Sequence, residues 1–271
     1  MHPVFARFGE LTLYWYGVML ALAFLASLAS ASWLGRRQGK PFSLYSDLLF
    51  WIVVSGILGA RLAYVAANLP EFIRDPLLIL NVRRGGLVYY GGFIGAAAAL
   101  AVFARRRGEP LRDLADVVAA SVPIGHVFGR IGCFLFGCCH GTLSSGPLAV
   151  RFPAESLAWE NHVRRGLIGP EAPFSLSVHP VQIYESVLNL ALYAVLVLAF
   201  RRPHVSGRIA ALYLMLYPVA RFGLEFLRGD HRLQPGAGLD AAQWTSVALF
   251  VAGLLLWISL GRTGNRRPTA V

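Results

Sequence analysis

Residues 179–202 read HPVQIYESVLNLALYAVLVLAFRR. From 181 to 200 the stretch is predominantly apolar, and about 20 residues is the length a helix needs to cross some 30 Å of hydrocarbon. Pro180 suits a first helical turn, where its missing N–H costs nothing. Glu185 sits near a helix start, where a carboxylate is favoured. Working outward, six further apolar windows are found at 11–34, 48–69, 87–104, 111–137, 209–227 and 242–260. The window 87–104 is short, and Pro123 with several glycines interrupts 111–137. The 271 residues are 56% hydrophobic and 14% charged, with mean hydropathy +0.56. A soluble domain usually carries about 25% charged residues, so a water-facing globular enzyme is excluded, as is a disordered chain. The expected fold is all-α, a polytopic membrane protein of about seven transmembrane helices.

An odd number of crossings puts the termini on opposite sides, and Lys and Arg in the connections set the orientation. One side holds thirteen: Arg36, Arg37, Lys40, Arg105, Arg106, Arg107, Arg112, Arg201, Arg202, Arg208, Arg262, Arg266 and Arg267. The other holds nine (Arg7, Arg74, Arg83, Arg84, Arg151, Arg164, Arg165, Arg228 and Arg232) and most of the loop acids. The bias predicts an N-terminus outside and a cytoplasmic C-terminus. The first window is expected to be a retained helix rather than a cleaved signal, because its apolar run exceeds twenty residues and little positive charge precedes it. Residues 138–178, with Pro147, Pro153, Pro170 and Pro173, are expected to form a small extracytoplasmic cap on a single domain spanning 1–271.

Three of the 25 basic residues remain inside apolar windows: Arg61, Arg130 and Arg221. Asp116, Glu185 and Glu225 share that situation. Each such charge costs roughly 2.5–3.5 kcal/mol at a bilayer centre, so it persists only if paired or facing a polar cavity. Buried structural ion pairs would satisfy the chemistry, and so would a site for an anion. Several features favour the site. Arg130 follows Gly129, where backbone can approach a ligand, and a guanidinium forks onto phosphate. Asp116 precedes it by close to four helical turns. Arg221, Glu225 and Arg228 fall at i, i+4 and i+7, one helix face on which Glu225 can orient both arginines. The pairs Gly85-Gly86 and Gly91-Gly92 flank Tyr89-Tyr90, where close helix packing is the competing explanation.

Cys133, Cys138, Cys139 and His140 raise the question of a metal. Zinc sites usually draw on two spaced pairs of ligands, and adjacent Cys138 and Cys139 are awkward partners for one ion. Structural small residues or an outward-facing disulfide are the expected roles, and no metal site is assigned.

The stretch Gly129–Gly141, GRIGCFLFGCCHG, resembles the signature of bacterial prolipoprotein diacylglyceryl transferases. The other clusters match that family in order and spacing: Trp15-Tyr16-Gly17, Gly59-Ala60-Arg61, Tyr90-Gly91-Gly92, Asp116, His179 to Glu185, Arg221 to Arg228, and Gln243. The resemblance covers nearly the whole chain. It implies a multi-pass enzyme of the bacterial inner membrane, transferring the diacylglyceryl group of phosphatidylglycerol to the lipobox cysteine thiol of a preprolipoprotein signal peptide. A thioether forms and glycerol 1-phosphate leaves, without cofactor, metal or nucleotide. The implied partners are phosphatidylglycerol, the lipobox signal peptide and membrane lipid, with no nucleic acid. The implied catalytic residues are Arg130 and Arg221 on the phosphate, Glu225 holding Arg221, and Tyr90. Gly129, Tyr16, Arg61, Gly91, Gly92, Asp116, Gln182, Glu185, Arg228 and Gln243 are the implied binding residues, together with Arg130. Two departures from the family pattern stand out. Some members carry His-Gly-Gly where this chain has Tyr90-Gly91-Gly92, and that His has been assigned the base role, for which His126 and His140 are substitutes here. Members often carry Asn and Glu at the positions of Cys133 and Cys138. The competing readings are a non-catalytic lipid-binding paralogue and an anionic-solute transporter. No inverted repeat of the kind many transporters show is evident.

Overall fold

A computed structural model describes residues 3–9, 11–81, 85–230 and 238–263; Arg83, Arg84, Arg232, Arg266 and Arg267 lie outside these. The chain opens with an antiparallel hairpin, β1 (Val4–Phe8) and β2 (Leu11–Tyr14). The helices follow as α1 (Trp15–Arg36), α2 (Phe42–Ala67), α3 (Leu69–Arg74), α4 (Tyr89–Arg107), α5 (Leu111–Phe136), α6 (Leu157–Arg164), α7 (Val181–Phe200), α8 (Arg208–Glu225) and α9 (Ala241–Thr263). The protein is mostly helical, and each of the seven apolar windows carries one long helix. The first window differs at its start: residues 11–14 pair with β1 across the register Phe8↔Leu11, so the helix begins only at Trp15.

Five helices, α1, α2, α5, α7 and α9, are long and apolar enough to cross a membrane. Helices α4 and α8 fall short because α4 ends in Arg105-Arg106-Arg107 and α8 includes Arg208, Arg221 and Glu225. Large apolar side chains such as Leu25, Phe50, Leu58 and Leu255 stand exposed on these helices. In water that surface would cost about 25 cal/mol per Å²; in lipid it costs nothing. This is a membrane protein.

The chain falls into two compact units. One comprises Ala31–Val117. Within it, α2 and α4 cross at glycines. A Cβ on Gly59 would stand 2.3 Å from the Gly91 carbonyl oxygen, and one on Gly91 would stand 2.3 Å from that of Gly59. The two backbones therefore touch, as small residues permit where lipid supplies no hydrophobic drive between helices. The packing explanation for the Gly91-Gly92 cluster thus has a definite geometry.

The other unit combines the chain up to Ser30 with the chain from Val118 onward. Its segment between α5 and α7 is a compact insertion built around fully buried Phe152, Ala158 and Val178, against which Phe134 and Val150 pack. Ser156 caps α6 by accepting from the Trp159 N–H at 3.3 Å. Helix α5 ends at Gly137, whose φ of +78° is open to glycine but strained for other residues.

The α2–α4 crossing makes a sharp distinction between neighbouring glycines. Gly59→Ala drives a methyl into backbone, which costs about 1–3 kcal/mol by overpacking. A Cβ on Gly56 meets only the Gly92 oxygen at 3.6 Å, an ordinary contact, so Gly56→Ala should show the helix-propensity gain of up to about 1 kcal/mol. Thermal unfolding in detergent micelles is expected to lower the midpoint for Gly59→Ala and hold or raise it for Gly56→Ala.

Candidate active site

Arg130, on the penultimate turns of α5, directs its Nε to the Glu185 carboxylate on α7 at 3.0 Å. Glu185 is 3% exposed, so the pair is largely shielded from solvent. On α8, Arg221 is ion-paired with Glu225 one turn later, and both are buried or nearly so. Glu185 and Arg221 line a single small recess of about 10 Å³, room for roughly one water, together with Asn189, Tyr217 and Leu224. One member of each intramembrane ion pair, Glu185 and Arg221, thus borders the same small recess. Gly129 opens onto free space: a Cβ there would meet no atom within 4 Å.

The sequence spacing put Arg228 at i+7 on the same helix face. The structure corrects this. Helix α8 ends at Glu225, and tight turns follow in which Leu227 and Arg228 donate to the carbonyls of Leu224 and Glu225. From there Arg228 grips Asp230 through two bonds of 3.0 and 2.7 Å and stands 3.9 Å from Glu225. The helix stops because its end is claimed by other backbone. Thr142 N–H donates to Leu227 at 2.8 Å, and Gly229 N–H donates to His140 at 3.0 Å. On its other edge, Gly141 N–H donates to the His179 carbonyl and His179 N–H to that of Thr142, both at 3.0 Å. The end of the signature stretch is therefore clasped between the ends of α8 and α7. Glycine is needed for the approach, since a Cβ on Gly229 would stand 2.2 Å from the Gly141 oxygen.

Gln182, buried at the start of α7, donates to the Cys138 carbonyl at 2.6 Å. Gln243 forms a reciprocal cap with Asp240 at the start of α9: its side chain accepts from the Asp240 N–H at 3.1 Å, and its own N–H donates to Asp240 at 2.7 Å. Both glutamines hold backbone in place. Tyr16 on α1 neighbours Arg130 and the three cysteines, and its ring tilts against Phe136 at 6.1 Å. His126 packs against Tyr217 and neighbours Arg130, Glu185 and Asn189. His140 stacks edge-on against His162 at 5.3 Å and turns its Nδ1 toward the Gly141 carbonyl. Asn189 was not singled out in the sequence. A side-chain amide one turn after Glu185, in an otherwise apolar helix, is the signal for it.

The cysteines behave unexpectedly. None is in a disulfide, and their three Sγ atoms lie within 4.8 Å of one another. The left-handed turn at Gly137 brings the Cys138 N–H to the Cys133 carbonyl at 3.1 Å, and Cys139 also takes a positive φ of 58°. Hydrogen bonds from Cys133 and Cys138, then the charges of Arg130 and Arg228, hold the Cys139 thiol well below its ordinary range despite burial. Cys138 moves the opposite way, raised by its hydrogen bonds with Cys133 and Cys139 and by burial.

The remaining predicted residues belong to the unit Ala31–Val117. Arg61 is buried, and its guanidinium is spent on backbone: Nε on Ile79 at 2.9 Å, Nη1 on Gly85 and Gly86 at 3.0 Å, and Nη2 on Leu78 and Asn81. Phe72 and Tyr64 cover its faces at 5.2 and 5.5 Å. It organises the connection between α3 and α4. Asp116 is 1% exposed in α5, and Tyr90 is half-exposed at the start of α4 with its ring edge-on to Tyr89.

A model of the prolipoprotein diacylglyceryl transferase family matches residues 3–259. The chain belongs to that family. Among similar proteins, a phosphatidylglycerol–prolipoprotein diacylglyceryl transferase of Clostridium tetani is 30% identical, covering 95% of this chain and 97% of the relative. Proteins of the same name from Idiomarina loihiensis and Bordetella avium are each 33% identical over 98% of this chain, covering 94% and 97% of their own lengths. The match to the family spans all seven long helices up to residue 259, so both compact units lie within it.

Two outcomes follow from this geometry. Gly229→Ala should unclasp the signature loop, lowering thermal stability in micelles by about 1–3 kcal/mol and speeding alkylation of Cys138 and Cys139; Gly223→Ala, in open space, should do neither. His162 accepts the Leu176 N–H at 3.2 Å, and burial, then His140 and Arg165, pushes its pKa down to about 4. The unfolded chain takes that proton near pH 6.5 and the folded one does not. Stability should therefore be full above about pH 6.5 and fall as pH drops toward 4. In His162→Asn the slope of the unfolding midpoint between pH 7 and 5 is expected to flatten.

Proposed function

We propose that this chain transfers the diacylglyceryl group of phosphatidylglycerol to the lipobox cysteine thiol of a preprolipoprotein, in the bacterial inner membrane. Family membership and the activity that its relatives are named for support the reaction. The observation that carries the site is the shared recess of Glu185 and Arg221, because it gathers Arg130, through Glu185, and Arg221 about one space. In this reading all seven long helices cross the bilayer as one transferase domain, with the N-terminus and the insertion at 138–178 outside and the C-terminus cytoplasmic.

The chemistry is displacement at an sp³ carbon. The thiolate sulfur bonds to the glyceryl CH₂, the carbon–oxygen bond breaks, and its electron pair leaves on the phosphate of glycerol 1-phosphate. Charge therefore grows on phosphate oxygens, not on a carbonyl, and preorganised cations there supply the main stabilisation. Arg130 and Arg221 take that role, held in place by Glu185 and Glu225. Gly129 leaves room for the headgroup beside Arg130. Tyr16 and Arg228 border the same region, Gln182 and Gln243 fix the backbone around it, and Arg61, Asp116, Gly91 and Gly92 shape the unit that carries Tyr90. The thiol must lose its proton to attack, and Tyr90 is the candidate acceptor.

A transfer assay with phosphatidylglycerol vesicles and a lipobox peptide tests this. Arg130→Ala and Arg221→Ala are each expected to lower the rate by about 10²–10³, the usual loss on removing one such donor. Arg130→Lys should recover only part of it, since an ammonium cannot fork between Glu185 and a phosphate. Full activity in Arg130→Ala would overturn the assignment, and full activity in Tyr90→Phe would remove Tyr90 as the proton acceptor.

A further inference from the structure

The transfer chemistry leaves one cluster of reactive side chains unused, the three thiols. The spacing in sequence argued against a shared ion, because adjacent Cys138 and Cys139 ordinarily point apart. The positive φ of Gly137 and of Cys139 removes that objection by folding the chain back onto the last turn of α5. Three sulfurs bound to one ion at about 2.3 Å stand about 4 Å apart in a trigonal plane. The present mutual distances of up to 4.8 Å are within about 1 Å of that spacing. The backbone is already fixed: Cys138 N–H is bonded to Cys133, Gln182 holds the Cys138 carbonyl, and the clasp at Gly141 and Gly229 holds the loop beyond.

The donor set selects the ion. Thiolates are soft ligands that favour Cu(I), zinc and iron–sulfur clusters. Iron–sulfur clusters and structural zinc take four protein ligands. The nearest nitrogen in sequence, Nδ1 of His140, faces the Gly141 carbonyl, and no His, Asp or Glu donor atom joins the three sulfurs among the described residues. A three-coordinate monovalent ion needs no fourth ligand. Three thiolates around it carry a net charge of two minus, and the guanidinium charges of Arg130 and Arg228 both act on this cluster. We propose that Cys133, Cys138 and Cys139 form a binding site for one Cu(I) ion, held by three thiolate sulfurs, with their protons released on binding.

The test uses the full chain in lipid nanodiscs under anaerobic conditions. Cu(I) is supplied in competition with bathocuproine disulfonate, and thiols are counted by maleimide labelling and intact mass. The expected result is one Cu(I) per chain, with labelling falling from three adducts to none, since these are the chain's three cysteines. That readout needs no variant and no transfer activity, so it stands apart from the proposed reaction. Single Cys→Ser changes at each position should weaken Cu(I) binding by more than about 100-fold, beyond the loss seen for outer partners of metal ligands. Binding no tighter than in the variant with all three cysteines changed to serine would overturn the proposal. So would any of the three thiols still labelling at its metal-free rate in the loaded protein, or a preference for Zn²⁺ over Cu(I) at equal free concentration.

Discussion

A charge inside an apolar helix bundle has to be answered by another charge or by backbone, and three arginines set this constraint on the whole molecule. Each is answered differently. Arg130 is met by Glu185 from another helix, Arg221 by Glu225 on its own helix, and Arg61 by a ring of carbonyls from the connection that follows its helix. The costs of burying these groups explain why polar atoms concentrate at a few places and why those places are geometrically tight. Each of the first two arginines is held by a carboxylate, and Arg221 also borders the small recess it shares with Glu185. Arg61 has its guanidinium fully subscribed by protein, so its contribution is to shape.

The second constraint is backbone satisfaction at helix ends. Carbonyls and N–H groups at the ends of α5, α7 and α8 are paired with one another through residues 140–142, 179 and 227–229. This joins three helix termini without a sheet and with little side-chain bulk, which is why glycines stand at 137, 141 and 229. The same joint carries Arg228 and the cysteines, so the reactive groups sit where backbone hydrogen bonds tie the helix ends together.

Much of this was legible in the sequence. Long apolar windows gave the seven helices within a few residues, and charges that violate the apolar pattern pointed to Arg130, Glu185, Arg221 and Glu225. Failures occur where tertiary backbone overrules local pattern. Leu11 to Tyr14 is apolar enough to read as the start of a helix, but pairing across the turn at Gly9 makes it a strand. Arg228 is in helical register with Arg221, yet the helix is cut short by docking to Gly141. The convergence of Cys133 with Cys138 and Cys139 depends on two left-handed residues in a row of three, which residue spacing does not encode. Arg61 was recognisable as a buried cation, but a cage of carbonyls has no sequence signature.

The split between the two ion pairs bears on how the protein is made. Arg221 and Glu225 emerge on one helix and neutralise each other at once. Glu185 follows Arg130 by 55 residues, roughly 3–11 s of synthesis at typical elongation rates. During that interval the Arg130 guanidinium has no carboxylate on α7 to meet it. The Arg130–Glu185 pair can therefore close only once α7 has been made, whereas the Arg221–Glu225 pair closes within a single helix.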